Sequence, residues 1–140
     1  MTDENEQKVI EEEFSQSWGW MEQYFANLSS KEDWDWIKPI CGLIGELRRQ
    51  GYDRQFRAGQ SMYLFVLSRS RHHGLRRGMS YIKFEAIRGG HMGITCRTDV
   101  DTVTEFEVER VEITPEIEAL LTRLLAQPIS YPPTPAHNDG

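Results

Sequence analysis

Apolar residues in the first part of the chain recur at three- and four-residue steps. Val9, Ile10, Phe14, Trp18, Met21, Phe25 and Leu28 fall on one stripe, which predicts a helix over 3–28 with an acidic opposite face. Ser29-Ser30-Lys31-Glu32-Asp33 reads as a helix start, because an acid follows each serine by three residues. Trp34, Ile37, Ile40, Cys41, Ile44 and Leu47 form a second stripe. Pro39 falls inside that stripe and predicts a kink or a restart. Gly51 predicts the stop.

The period then changes to two. Residues 62–67 are apolar on both faces, which predicts a strand covered on both sides. Residues 80–88 and 92–97 alternate, with Gly89-Gly90 between them. A two-residue loop would put Ile82, Phe84 and Ala86 on the face opposite Met92, Ile94 and Cys96. A three-residue loop, Gly89-Gly90-His91, puts all six on one face, and burial favours it. A fourth strand over 103–111 points Thr104, Phe106 and Val108 inward and Glu105, Glu107 and Glu109 outward. Thr114-Pro115-Glu116 opens a third helix, with the threonine as cap and the proline in the first turn. Pro128 ends it.

The fold class that follows is α+β: two N-terminal helices, a four-stranded antiparallel meander and a C-terminal helix. Residues 1–127 read as a single domain and residues 128–140 as a flexible, disordered Pro-rich tail. One tension remains in this scheme. A meander makes its first strand an edge, yet that strand is the most apolar. Either helices cover it, or the strand order differs, or it pairs with a second copy.

Composition narrows the class. With 39% hydrophobic and 27% charged residues, the 140-residue chain is globular and can bury one core. It has no apolar run long enough to cross a bilayer. Its start, Met1-Thr2-Asp3-Glu4-Asn5-Glu6, lacks the basic and apolar regions of a signal peptide, so a cytoplasmic location without a membrane partner is expected. Cys41 and Cys96 lie far apart in apolar patterns and read as buried free thiols.

The net charge of −6 hides a three-part split. Residues 1–37 carry ten acids against two bases, residues 38–97 twelve bases against three acids, and residues 98–140 nine acids against two bases. The basic middle peaks in the loop predicted after the first strand, where Arg69, Arg71, His72, His73, Arg76 and Arg77 occur with no acid among them. Arginine forks bind carboxylates and phosphates directionally. These six residues are therefore the candidate anion- or partner-binding group. A solvated loop balanced by the protein's own acids is the plainer reading of the same residues.

Two further features bear on function. All four tryptophans lie in Trp18-Gly19-Trp20 and Trp34-Asp35-Trp36. Residues two apart do not share a helix face. If Trp18 and Trp34 are core, Trp20 and Trp36 point elsewhere, and with Asp35 they form a candidate acidic partner surface. The outward charges Lys83, Glu85, Arg97, Glu105, Glu107 and Glu109 are expected to pair across strands as an ionic lattice.

Catalytic and metal signatures are missing from the sequence. It has no CxxC, HExxH, GxSxG, P-loop or dinucleotide fingerprint, so no catalytic residue, metal or cofactor is expected. The function that fits is a non-catalytic binding or adaptor domain that engages another protein or a second copy of itself through the arginine loop and the tryptophan surface. An acidic inhibitor masking a basic toxin or nuclease is a specific form of that reading. The first alternative is a nucleic-acid-binding module using the 69–77 loop. The second is a small phosphodiester-acting enzyme using His72 or His73 beside the arginines.

Overall fold

The computed structural model describes residues 4–71, 79–97 and 102–129. Two long helices, α1 (Glu4–Ser29) and α2 (Lys38–Arg49), are joined through a short 3-10 turn over Asp35–Ile37. A second 3-10 turn over Tyr52–Arg54 leads into five strands, β1 (Arg57–Ser61), β2 (Leu64–Ser68), β3 (Tyr81–Ile87), β4 (His91–Arg97) and β5 (Thr104–Val108). Helix α3 (Pro115–Leu125) follows. The sheet is antiparallel throughout, in the order β1-β2-β3-β4-β5. The α+β class and the meander are as expected, but the described residues form five strands and not four.

The extra strand, β1, resolves the tension over the apolar edge. β2 lies between β1 and β3, so the most apolar strand is internal. β1 itself carries little apolar signal, since only Ala58 of its five residues is buried. Side chains of α1 hold it in place. The Trp18 indole donates to the Phe56 carbonyl at 2.9 Å, and the Ala58 amide donates to Ser17 Oγ at 2.9 Å. These two bonds satisfy backbone groups that an edge strand would otherwise leave open.

Register follows the burial argument, with a small shift. Ile87 pairs with His91, so the three-residue turn is 88–90, and His91 is the first residue of β4 and not the last of the loop. Gly89 and Gly90 take φ of +101° and +94°, which a side chain would strain. Ile82, Phe84 and Ala86 pair with Cys96, Ile94 and Met92, and all six are buried on one face. That face packs with Trp18, Phe25, Phe65, Leu47, Ile117 and Leu121 in a single core. Phe65 takes Trp18 and Phe25 edge-on, at ring centroid distances of 5.5 and 5.9 Å. Both cysteines are free, Cys96 buried and Cys41 half-buried.

Two helix boundaries differ from the pattern reading. Ser29 and Ser30 do not start a helix. Ser29 is the last residue of α1, and the two hydroxyls donate back to the Ala26 and Asn27 carbonyls. Serine serves either end of a helix, because its hydroxyl can bond whichever backbone group is free. The second helix restarts at Lys38 with Pro39 in its first turn, where its missing N–H has no partner to lose. Thr114 caps α3, with Oγ1 accepting from the Ile117 amide at 3.2 Å.

Candidate functional site

The sheet has two distinct ends, and the sequence-predicted residues divide between them and the face of α1. At one end the chain leaves β2 through Arg69 and Arg71. The Arg69 guanidinium bridges two carbonyls: Nη1 donates to Gln55 at 2.6 Å and Nε to Gln127 at 3.1 Å, just past α3. Arg71 Nε donates to Glu13 Oε1 at 2.9 Å, and its Nη1 lies 3.9 Å from Glu6. Arg57 donates to the Arg71 carbonyl at 3.1 Å. Burial lowers the pKa of both Arg57 and Arg69, and Glu13 partly offsets this at Arg57. Arg69 and Arg71, both of the predicted anion site, thus join the loop to the end of α3 and to α1. His72, His73, Arg76 and Arg77 lie outside the described residues, as does the proline-rich tail from 130 onward.

At the opposite end, two tight turns meet an aromatic cluster. Met62 and Tyr63 connect β1 to β2, and Met62 has φ +59° with 77% of its surface exposed. The Tyr24 hydroxyl donates to the Met62 carbonyl at 2.6 Å. Trp34 and Trp36 stack on each other, 5.4 Å between ring centroids, and both border Tyr63. The Arg88 guanidinium lies over Trp36 at 5.3 Å. Spacing misleads for this second tryptophan pair, because the chain here is a 3-10 turn and not an α-helix. Both rings are half-buried and share one stack. Asp35 is exposed beside them.

The first pair behaves as its helix requires. Trp18 is fully buried and Trp20 is 56% exposed. Trp20 lines an open groove of about 630 Å³ along the outer stripe of α1, with Val9, Gln16, Gly19, Arg48 and Arg54. Val9, expected on the stripe of Ile10, Phe14 and Trp18, is instead 44% exposed on this outer side. Arg48 is anchored by Glu22 at 2.6 Å and by Asp53 at 3.4 Å, and Ser15 donates to Asp53 at 3.0 Å. Trp20 and Trp36, expected as one surface, occupy separate neighbourhoods. The groove's cationic wall was hidden from the sequence reading, since Arg48 and Arg54 come from α2 and the following turn. The basic last turn of α2 was the available signal.

The outer sheet face lacks the expected ionic lattice among its described residues. Register is the reason. Thr95 of β4 stands between Lys83 and Glu105, and Gly93 between Glu85 and Glu107. Strands lie about 4.8 Å apart, so each of those pairs is separated by about 10 Å of backbone. Three of the charges find other partners. Lys83 lies over the Tyr81 ring at 4.8 Å, Glu85 accepts from the Tyr63 hydroxyl at 2.7 Å, and Glu107 meets His91 Nδ1 at 2.7 Å. Glu109 lies past the end of β5.

Among the described residues no three His, Cys, Asp or Glu side chains converge to hold a metal, and no helix is long and apolar enough to cross a membrane. Compared with protein-family models, with curated proteins and with solved structures, the chain matches none.

Proposed function

We propose that this chain is a non-catalytic binding domain that engages another protein through the Trp20 face of α1. The observation that carries the reading is the exposure of Trp20 on a helix whose opposite stripe already fills the core. Tryptophan is favoured at interface hot spots, and an isolated fold gains nothing from leaving one in water. Val9 extends the apolar surface along the same stripe. Glu12, Glu13, Arg48 and Arg54 give it a rim of both signs, which suits a complementary polar rim on a partner. The nucleic-acid alternative draws less support, because Arg69 and Arg71 already hold carbonyls and carboxylates of this chain.

The test is paired affinity capture from cells that express the chain, using the parent and Trp20→Ala, after nuclease treatment. Trp20→Ala should unfold within about 0.5 kcal/mol of the parent, as exposed substitutions do. A protein captured by the parent and lost from the variant is the expected result. A capture unchanged by the substitution, or abolished by nuclease, would remove this reading.

A further inference from the structure

The two edges of the sheet are treated differently. The β1 edge is closed by α1, through Ser17 on the Ala58 amide and Trp18 on the Phe56 carbonyl. β5 pairs with β4 on one side, and among the described residues no strand or helix pairs with its other side. Its backbone groups on that side are a template for another strand. The two faces beside this edge differ in character. Outward stand Glu105 and Glu107, with Glu85 two strands in, beyond Gly93. The Glu105 carboxylate has no hydrogen bond or ion pair among the described residues. Inward stand Phe106 and Val108, both only half-buried, and Val103 just before the strand is 51% exposed.

We propose that the open edge of β5 accepts an extended peptide strand in which basic residues alternate with apolar ones. An added strand would continue the sheet, so that alternate side chains fall beside Glu105 and Glu107 on one face and beside Phe106 and Val108 on the other. The acids select lysine or arginine on the outer face. The half-buried apolar pair selects valine, isoleucine or leucine on the inner face. A second copy of β5 is the wrong occupant. Aligned antiparallel with its outer face continuing the same face, it sets Glu105 opposite Glu107 at both ends of the pairing, and like charges placed opposite each other destabilise a sheet. This surface is separate from the Trp20 groove, and its test does not depend on that reading.

The probe is a capped heptapeptide of alternating lysine and valine, titrated into the full chain and followed by backbone amide NMR shifts and amide exchange. The expected result is binding with shifts and new exchange protection centred on 104–108, and little change at Trp20. The double charge reversal Glu105→Lys/Glu107→Lys should weaken this peptide about tenfold and admit a glutamate–valine counterpart. Both positions are exposed, so the variant's fold should be unchanged, which its own amide spectrum checks. The lysine–valine peptide with every backbone amide N-methylated keeps its charge and has no amide donor on either edge, so it should not bind. Equal binding of the methylated peptide would reduce the effect to unspecific attraction and overturn the proposal. So would no binding of the parent peptide, which would leave the two glutamates as a guard on a bare edge, or concentration-dependent self-association through β5.

Discussion

At one end of the sheet the chain leaves β2 through Arg69, Ser70 and Arg71, and β3 begins at Tyr81. At the other it reverses within Met62-Tyr63 and again within 88–90. The long connection is secured from outside itself, by guanidinium groups on the Gln55, Gln127 and Arg71 carbonyls and on Glu13. The short turns are secured locally. The Gly90 amide closes onto the Ile87 carbonyl at 3.1 Å, and the aromatic rings of Trp34, Trp36 and Tyr63 pack beside them. A tight turn satisfies its own backbone and concentrates its difficulty in φ. The chain before β1 and after α3 leaves the Gln55 and Gln127 carbonyls open, and arginine, with several donors in one plane, can hold both at once. Arginines in a loop without acids therefore need not face a ligand.

The strongest way to break this contrast is Arg69→Met. It leaves the Gln55 and Gln127 carbonyls without their charged donor, which should lower unfolding stability by about 2–4 kcal/mol in urea titrations. Arg69→Lys should recover only part of the loss, because one ammonium lacks the planar fork that reaches both carbonyls. A change in Arg69→Met within about 0.5 kcal/mol would mean that the arginine end is not held by this bridge.

A smaller effect belongs to the next arginine. Arg71→Ala should cost about 1 kcal/mol, and a double-mutant cycle with Glu13→Gln should assign part of that to their contact. The coupling should shrink as salt is raised, since both groups are partly exposed. A cycle energy of zero would separate the loop from α1.

How much of this was legible depends on where each signal is stored. Helices α1 and α3 store theirs in period and caps, so Phe14, Trp18, Leu121 and Thr114 announce themselves. The hairpin of β3 and β4 stores its register in six apolar residues that must share one face. β1 stores almost nothing locally, because Arg57-Ala58-Gly59-Gln60-Ser61 has one small buried side chain and relies on Ser17 and Trp18, about forty residues earlier. At the candidate sites, charge counting left room for the basic middle to meet the acidic start, and Arg71 and Glu13 do so. It could not foresee Arg69, whose partners are backbone carbonyls common to every residue. Trp20 was legible because Trp18 is two residues away on a true helix. Trp36 was not, because the same spacing in a 3-10 turn brings two rings together.

The aromatic end should respond in the opposite direction to the arginine end. Met62 holds a left-handed conformation that costs an ordinary side chain about 1–2 kcal/mol, and glycine adopts it freely. Glycine also loosens the unfolded chain, which takes back part of the gain. Met62→Gly should therefore stabilise by about 0.5–1 kcal/mol in thermal unfolding. Tyr24→Phe, which removes the hydroxyl from the Met62 carbonyl, should lose about 1 kcal/mol or less. If Met62→Gly were destabilising, the methionine side chain would be contributing contacts that its exposure does not suggest.

The smallest effect is one of pH and sits on Tyr63. Its hydroxyl donates to Glu85, and that bond, followed by desolvation and by the nearby carboxylate charge, raises its pKa above the ordinary 10.0. A group whose pKa is raised by folding binds its proton more tightly in the native state, so it stabilises the fold while it stays protonated. That contribution is whole below pH 10.0, the ordinary tyrosine value, and is lost as pH climbs through the raised native value. Tyr63→Phe removes it altogether. The stability difference between parent and Tyr63→Phe should thus be constant from neutral pH to about pH 9 and shrink above pH 10. Paired urea titrations across that range measure it. Glu85→Gln should flatten the same dependence while leaving the tyrosine ring against Trp36, and a difference that persisted unchanged at high pH would assign the role of Tyr63 to its ring rather than to its hydroxyl.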